Sequence, residues 1–203
     1  MRGLVIIDVQ NDFMPGGALA VPDGDKIVPI VNDLQKKFDL VIATQDWHPS
    51  GHASFASSYE NSKEFEIIKL DGLDQVLWPE HCIQNTKGAN FHPDLDTSKI
   101  EAIFRKGTNK KIDSYSGFYD NAHLKSTGLA GYLKEKGVTE LYFVGLAAEY
   151  CVYFSIKDAL LEGFEAILIE DGTRALRDGD FEKIKVDILR KGGKIIDAKE
   201  VNF

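Results

Sequence analysis

Short apolar runs alternate with amphipathic stretches along most of the chain, and this alternation restricts the fold more than any other feature. The runs are rich in β-branched residues, which is typical of strands buried inside a sheet. Such strands separated by helices form βαβ units with parallel strands. We therefore predict an α/β protein with an open, doubly wound, mainly parallel sheet of about six strands and helices on both faces. The predicted strands are 4–9, 40–44, 100–105, 141–146, 166–169 and 194–196, and the predicted helices are 26–37, 128–136, 148–161 and 180–191.

Composition narrows the class of protein. The chain has 203 residues, of which 43% are hydrophobic and 28% charged, so it is long enough for one domain with a substantial core. A net charge of −8 argues against nucleic acid or an anionic membrane as the partner. Cys82 and Cys151 are too few for a disulfide framework and indicate a reducing compartment. We expect a single domain over 1–203, without a signal peptide or membrane span, located in the cytoplasm, with a small-molecule substrate and possible homo-oligomerisation.

The segment from about 46 to 99 departs from the periodic pattern. It is rich in Ser, Asn, His, Gly and Pro and carries no regular alternation. A segment of this length without regular structure is usually functional rather than a simple connection. We therefore expect it to supply part of a binding site, including a metal site.

Four residues that can carry chemistry stand at or just past the ends of predicted strands. They are Asp8, Asp46, Lys106 and Cys151, and each follows a different strand. In open parallel sheets, ligands bind in the crevice outside the carboxyl ends of the strands. The pattern predicts that these residues meet on one edge of the sheet.

Cys151 is the candidate nucleophile. It lies in the first turn of the predicted helix 148–161, directly after the strand 141–146. Unpaired N–H groups and the helix dipole at that position favour an anion, so we expect a lowered thiol pKa. The alternative is a small apolar residue that packs the helix against the sheet, since buried free cysteines are common.

A metal site is indicated by Asp46 and His48, which point the same way in an extended chain. His81 is a third candidate ligand, and His52 or Glu80 a fourth. Two imidazoles and one carboxylate suit zinc, iron or manganese and leave positions open for water or substrate. The alternative is a loop with scattered histidines.

The residues alone leave open which group accepts the proton of the nucleophile. In cysteine hydrolases a histidine usually accepts the proton of the cysteine, but here the histidines near this edge are the candidate metal ligands. Asp8, in an apolar crevice, and Lys106 remain as the candidates for a base and for a charge that stabilises the thiolate. Each also has a structural reading, Asp8 as an acceptor at a loop start and Lys106 as a solvated cation.

Two further groups complete the candidate site. The backbone N–H groups of Ala147 and Cys151 are placed to bind an oxyanion, and the small side chain of Ala147 lets a carbonyl oxygen approach. Phe13, Trp78 and Tyr115 either wall a small flat pocket or anchor loops on the core.

With these residues in place, the sequence resembles the nicotinamidases, a group of isochorismatase-like cysteine hydrolases. The resemblance covers nearly the whole chain in family order. The nucleophile segment and the Asp–Lys–Cys arrangement are shared by the wider superfamily, whereas the two segments around Asp46 and His81 are more particular to nicotinamidases. The matching segments are Ile7–Phe13, Asp46–Pro49 with His52–Phe55, Trp78–Cys82, Arg105–Gly107, Tyr115–Phe118 and Gly145–Val152.

The resemblance implies deamidation of nicotinamide to nicotinate and ammonia, feeding NAD salvage, with pyrazinamide as a further substrate. It implies that Cys151 is the nucleophile, Asp8 its base and Lys106 the third member. It also implies a cis peptide bond between Leu146 and Ala147, which turns the Ala147 N–H into the oxyanion hole and places Ala147 against the substrate.

The resemblance further implies one divalent metal ion, with zinc ahead of iron and manganese, that holds the pyridine nitrogen. No organic cofactor is implied. The identity of a fourth ligand varies in the family, so His52, Glu80 and water stay open. The implied metal ligands are Asp46, His48 and His81, and the implied ring-pocket residues are Phe13, Trp78 and Tyr115.

Two rival functions stay open. One is another isochorismatase-like amidase or hydrolase, which would not need the metal ligands. The other is a receiver-type signalling domain, which also gathers an aspartate, a divalent ion and a lysine at the strand ends of a doubly wound sheet. Cys151 and the long histidine-bearing segment count against the receiver domain.

Overall fold

A six-stranded, fully parallel sheet forms the centre of the protein. In the computed structural model, which describes the backbone of residues 1–203 and the side chains of all but residue 178, the strand order is β5-β2-β1-β6-β7-β8. This confirms the predicted doubly wound sheet. The strands are β1 Arg2–Ile7, β2 Leu40–Asp46, β3 Ile67–Leu70, β4 Leu73–Val76, β5 Ile100–Lys106, β6 Glu140–Leu146, β7 Glu165–Arg174 and β8 Lys194–Ile196, and the α-helices are α1 Val28–Gln35, α2 Leu129–Glu135, α3 Tyr153–Leu161 and α4 Asp178–Arg190.

Helices cover both faces of this sheet because its central strands are apolar on both sides. Leu4 and Ile6 of β1 belong to the core on the α1 face, where Val31 packs. The alternate residues of β1, among them Val5, belong to the opposite core, with α2, α3 and Ile188 of α4. Each fully buried side chain of this kind stabilises the fold by about 1.5–3 kcal/mol.

The segment 46–99 is not irregular throughout, and this part of the prediction is wrong. It contains the antiparallel hairpin β3–β4, separate from the main sheet. Asp71 and Gly72 form its two-residue turn, both with positive φ. An Asp-Gly pair between short strands is a strong hairpin signal, but the strands are only four residues long and largely exposed, so they leave little periodicity.

Several boundaries also differ from the prediction. The predicted helix 26–37 begins as a 3₁₀ turn at 24–27, and the side chain of Asp23 makes no capping bond there. The predicted strand 166–169 runs on to Arg174, because a bulge lets β7 pair with β6 again after Asp171 and Gly172. The predicted helix 148–161 begins with a π-helical turn, Ala148–Val152.

The carboxyl ends of four adjacent strands lie at one edge of the sheet. Asp8 follows β1, Asp46 and Lys106 are the last residues of β2 and β5, and Cys151 follows β6. The order β5-β2-β1-β6 makes these strands neighbours, as the strand-end rule requires. Among the described residues, none of the helices has the length and apolar character that a membrane crossing needs.

Candidate active site

Lys106 lies at the centre of the site. Its side chain is fully buried, and its Nζ is 2.9 Å from Asp8 Oδ2, 3.1 Å from Asp46 Oδ1 and 3.3 Å from Cys151 Sγ. It also donates a hydrogen bond to the carbonyl oxygen of Ser114 at 3.0 Å. Burial works against the charged amine, but the two carboxylates outweigh it and hold the pKa of Lys106 well above its usual value. Lys106 is therefore a fixed cation beside the thiol.

Asp8 has one engaged oxygen and one available oxygen. Thr44 Oγ1 donates to its Oδ1 at 2.6 Å, whereas Oδ2 faces the Lys106 ammonium without a well-directed hydrogen bond from any described residue. Burial raises the pKa of Asp8 even though Lys106 lowers it. The residue adopts a positive φ of 48°, which turns the chain out of β1. A carboxylate placed in this way can accept a proton from the thiol.

Cys151 is buried, with 6% of its surface exposed. Burial raises the pKa of its thiol well above the usual value; Lys106 opposes this, and the charge of Asp8 adds to it. The expectation of a thiol pKa lowered by the helix end is therefore wrong. Desolvation is the largest cause of this rise, and the charges of Asp8 and Asp46 add to it, so the thiol needs a base.

The backbone before Cys151 departs from ordinary strand geometry at two positions. The peptide bond between Leu146 and Ala147 is cis, as the resemblance implied. Gly145 has a φ of +116°, and a Cβ there would lie 2.0 Å from the carbonyl oxygen of Ile7. Only glycine lets β6 run this close to β1 at the site.

The three predicted metal ligands meet in one buried group. Asp46, His48 and His81 each offer a ligand atom, and these atoms lie within 4.8 Å of one another. Asp46 Oδ2 is 3.1 Å from His48 Nε2 and 3.4 Å from His81 Nε2. The other oxygen, Asp46 Oδ1, faces Lys106.

The hydrogen bonds of the two imidazoles show that this group fits a cation. The Nδ1–H of His48 donates to the carbonyl oxygen of Gly107 at 3.1 Å, and that of His81 to Pro79 at 2.8 Å. In the neutral rings, both Nε2 atoms then present lone pairs towards one carboxylate oxygen. Three acceptors that converge in this way need a positive charge between them, and such backbone partners are typical of metal-bound histidines.

The charges around this group also favour a cation. Burial opposes the charged form of His48, but the carboxylate of Asp46 outweighs it and raises the pKa of the imidazole. Burial likewise opposes charge on Asp46, yet His48 and Lys106 hold its pKa well below the usual value. Asp46 therefore stays a carboxylate that attracts a cation.

Neither side chain suggested as a fourth ligand is placed for that role. His52 Nδ1 accepts a hydrogen bond from the backbone N–H of Ser54, and its Nε2 lies 2.8 Å from the carbonyl oxygen of Asn109. Both ring nitrogens are thus engaged. Glu80 is exposed and accepts a hydrogen bond from Ser57.

A small pocket opens onto both the thiol and the metal group. It encloses about 320 Å³, part of it open to solvent. The predicted aromatic residues line this pocket. Four further lining residues were not predicted from the sequence. Leu19, Tyr150 and Leu176 belong to periodic or turn segments, and Asp113 belongs to a polar loop. The lining residues are Phe13, Leu19, Asp46, Trp78, His81, Asp113, Tyr115, Ala147, Tyr150, Cys151 and Leu176.

Two supporting residues were also missed by sequence reasoning. Thr44 orients Asp8, and the Gln10 side chain pairs with the backbone of Asp46 through an accepted and a donated hydrogen bond of 2.8 Å each. Gln10 occurs within a matched segment, but Thr44 looks like an ordinary strand residue. Its role becomes visible only from the hydrogen bond that it donates to Asp8 of the neighbouring chain segment.

A parallel α/β sheet with a buried cysteine, lysine and aspartate at its carboxyl edge has the architecture of a cysteine hydrolase. The chain belongs to the isochorismatase domain family, whose model matches residues 2–200. This family assignment favours the hydrolase over the receiver-type signalling domain.

Similar proteins extend the comparison over the full length. A nicotinamidase of Acinetobacter baylyi is 42% identical over 199 residues, covering 98% of this chain and 93% of that protein. A structure titled Acinetobacter baumanii nicotinamidase pyrazinamidease has a TM-score of 0.97 and 44% identity, covering 99% and 98% of the two chains. The Pyrococcus horikoshii pyrazinamidase in complex with zinc has a TM-score of 0.80 and 38% identity, covering 97% and 98%.

Proposed function

We propose that this protein is a nicotinamidase, which converts nicotinamide to nicotinate and ammonia in NAD salvage and also accepts pyrazinamide. The whole chain, 1–203, would act as one hydrolase domain. The observation that carries the proposal is that Cys151 and the metal group, through Asp46 and His81, line the same pocket. A single site can therefore hold a ring by its nitrogen and expose its carboxamide to the thiol.

The pocket suits one aromatic ring. Trp78 and Tyr150 pack edge to face with centroids 4.8 Å apart, and Trp78 Nε1 donates a hydrogen bond to the Tyr115 hydroxyl at 3.3 Å. Rigid aromatic walls bury a flat heteroaromatic ring, and the few polar groups fix its orientation. The lining is mainly aromatic and apolar with a few polar groups, which favours a small, flat substrate.

The first half of the proposed reaction forms a thioester. Asp8 takes the proton of Cys151, and the thiolate forms a bond to the carboxamide carbon while Lys106 stabilises the negative charges. The backbone N–H groups of Ala147 and Cys151 would hold the developing oxyanion. Asp8 then returns the proton to the amide nitrogen, the C–N bond breaks, and ammonia leaves.

In the second half, water hydrolyses the thioester. Asp8 takes a proton from the water, whose oxygen bonds to the acyl carbon. The C–S bond then breaks, Asp8 returns the proton to the sulfur to restore the thiol, and the acid product releases its remaining proton to solvent as nicotinate. The group Asp46, His48 and His81 would hold a divalent ion, which we propose to be zinc. That ion would supply a Lewis acid that binds the ring nitrogen.

Ammonia release from nicotinamide tests the proposal directly. The purified protein is assayed before and after chelation, with metal content measured on the same samples. We expect release to fall on chelation and to return with zinc, iron or manganese. The variant Asp46→Ala should lose metal and bind substrate more weakly while remaining folded, because the other two ligands alone hold the ion poorly.

The outcomes separate the competing functions. If ammonia release does not depend on metal, the thiol mechanism would still be supported, but Asp46, His48 and His81 would not have the proposed role. No release from a folded, metal-loaded protein would contradict the nicotinamidase proposal and point to another isochorismatase-like amidase with a different substrate. Exposed Glu80 offers a control, since Glu80→Gln should change neither metal content nor rate.

The pH profile provides a second test. Asp8 must be ionised to accept the thiol proton, and burial raises its pKa, so kcat/KM should fall on acidification at a higher pH than an ordinary aspartate would give. The hydrogen bond from Thr44 lowers that pKa. Thr44→Val should therefore move the acidic limb to still higher pH.

Thr44→Ser is the matched control for this shift. It keeps the hydroxyl and should leave the acidic limb close to that of the parent protein, whereas valine keeps the volume but removes the donor. An identical acidic limb in the valine variant would show that Thr44 does not act on the proton-accepting carboxylate.

A further inference from the structure

Asp113 is a buried carboxylate beside the metal group that the proposed reaction does not use. Only 2% of its surface is exposed, and it lines the same pocket as Cys151. Its Oδ1 is 4.0 Å from Nε2 of His48, the nitrogen that also faces Asp46. His48 Nε2 therefore lies near two carboxylates.

The contacts of Asp113 hold it in place without making it a close member of the ligand group. Its Oδ1 accepts the backbone N–H of Ser114 at 2.7 Å, and its Oδ2 accepts from Gln75 Nε2 at 3.3 Å. The separation of 4.0 Å from His48 exceeds the 3.1 and 3.4 Å that join Asp46 to the two imidazoles.

A second set of possible metal ligands also contains His48, but it does not form a separate metal site. That group consists of His48, His52 and Asp113. His52 has both ring nitrogens engaged by Ser54 and by the carbonyl oxygen of Asn109. His48 has only its Nε2 available, since Nδ1 donates to Gly107. His48, His52 and Asp113 therefore do not supply three free ligand atoms for a separate ion.

The charges of the site supply the reason for a second carboxylate. Lys106 lies 2.9 Å from Asp8 and 3.1 Å from Asp46, so its single positive charge is shared between them. With Asp113 included, three buried carboxylates and one ammonium leave two negative charges. This equals the charge of one divalent ion, and buried charges are stable only when they are balanced.

We propose that Asp113 is a positioning residue of the metal centre, a second carboxylate that acts on the ion through its charge and through intervening water rather than as a direct ligand. Gln75, from the hairpin β3–β4, orients it by donating to its Oδ2. This gives the hairpin, which lies outside the main sheet, a part in the site. The inference rests on the proposed metal centre.

The test measures metal binding in the resting protein, without substrate. Apoprotein is titrated with Zn²⁺ against a competing chelator, and the same protein is loaded with Co²⁺, whose visible absorption reports its ligands. Asp113→Asn should weaken Zn²⁺ binding about 10- to 100-fold, the usual effect of removing an outer carboxylate partner. The Co²⁺ spectrum should keep the band positions and intensities of the parent protein, because the direct ligands are unchanged.

Asp120→Asn is the matched control. Asp120 is also a buried aspartate in the connection between β5 and α2, but its Oδ1 accepts the backbone N–H groups of Ala122 and Leu124. This variant should leave Zn²⁺ affinity unchanged, so a loss confined to Asp113→Asn is not a general effect of disturbing the segment.

Two results would overturn the proposal. Unchanged Zn²⁺ affinity would show that Asp113 does not act on the ion, and an altered Co²⁺ spectrum would make it a direct ligand. If Asp113→Asn does not fold, Gln75→Met removes the donor and leaves the carboxylate; it should weaken Zn²⁺ binding by a smaller factor, and no change would count against the inference. Because none of these measurements uses nicotinamide, their failure is distinct from failure of the proposed reaction.

Discussion

Replacing Cys151 with alanine should reduce ammonia release from nicotinamide by a factor on the order of 10⁴ or more, because the covalent route has no other nucleophile. Binding of the ring should change little. The other lining residues and the metal group remain, and the alanine side chain fits within the space of the cysteine. Steady-state assay of ammonia, together with calorimetric titration of nicotinate, measures the two effects separately.

Cys82 provides the internal comparison for this result. It is fully buried next to His81, and its backbone N–H donates to Asp12 Oδ2 at 2.7 Å, a contact that the side chain does not affect. Cys82→Ala should therefore keep most of the activity. Substantial turnover by Cys151→Ala would refute the thioester mechanism, and equal losses in both variants would indicate damage to packing rather than to chemistry.

Replacing Lys106 with methionine should cost both activity and stability. Methionine is similar in length but leaves Asp8 and Asp46 buried without their shared cation, and removing one partner from a buried ion pair costs about 3–5 kcal/mol. Turnover should fall because the thiolate and the base lose the charge that stabilises them together. Denaturant unfolding of metal-loaded protein, with ammonia release on the same preparation, measures both losses.

A surface lysine serves as the control. Lys69 pairs with Asp74 at 2.8 Å, but both side chains are about 70% exposed, and such pairs contribute little to stability. Lys69→Met should therefore leave the unfolding midpoint and the rate nearly unchanged. Full stability in the Lys106 variant would show that the two carboxylates are neutralised by protons or by the metal instead.

Much of the site was predictable because its residues follow a simple positional rule. Asp8, Asp46, Lys106 and Cys151 stand at strand ends, and parallel strands bring those ends to one edge. The spacing of Asp46 and His48 on an extended segment also places two ligand atoms on one side. His81 was predicted as a third ligand from its residue type and from the resemblance, because no local pattern fixes its position.

Other features were missed because they depend on contacts across the fold. The role of Thr44 requires β2 to pair with β1, which brings its hydroxyl to Asp8. Asp113 is held by Gln75 of a hairpin, and that hairpin has too few buried residues to show periodicity. The expected low pKa of Cys151 failed for the same reason, since a helix end is visible in sequence whereas desolvation is not.

The sequence by itself determined the parallel sheet, the edge at which the chemistry lies, and the residue types available there. These follow from apolar periodicity and from strand order, which are local or nearly local properties. Only the tertiary structure decided the state of each group: which imidazole nitrogen faces Asp46, which oxygen of Asp8 remains available, and the direction in which burial moves the pKa of Cys151. Hydrogen-bond partners and solvent exclusion come from residues distant in the chain, and they determine protonation and charge.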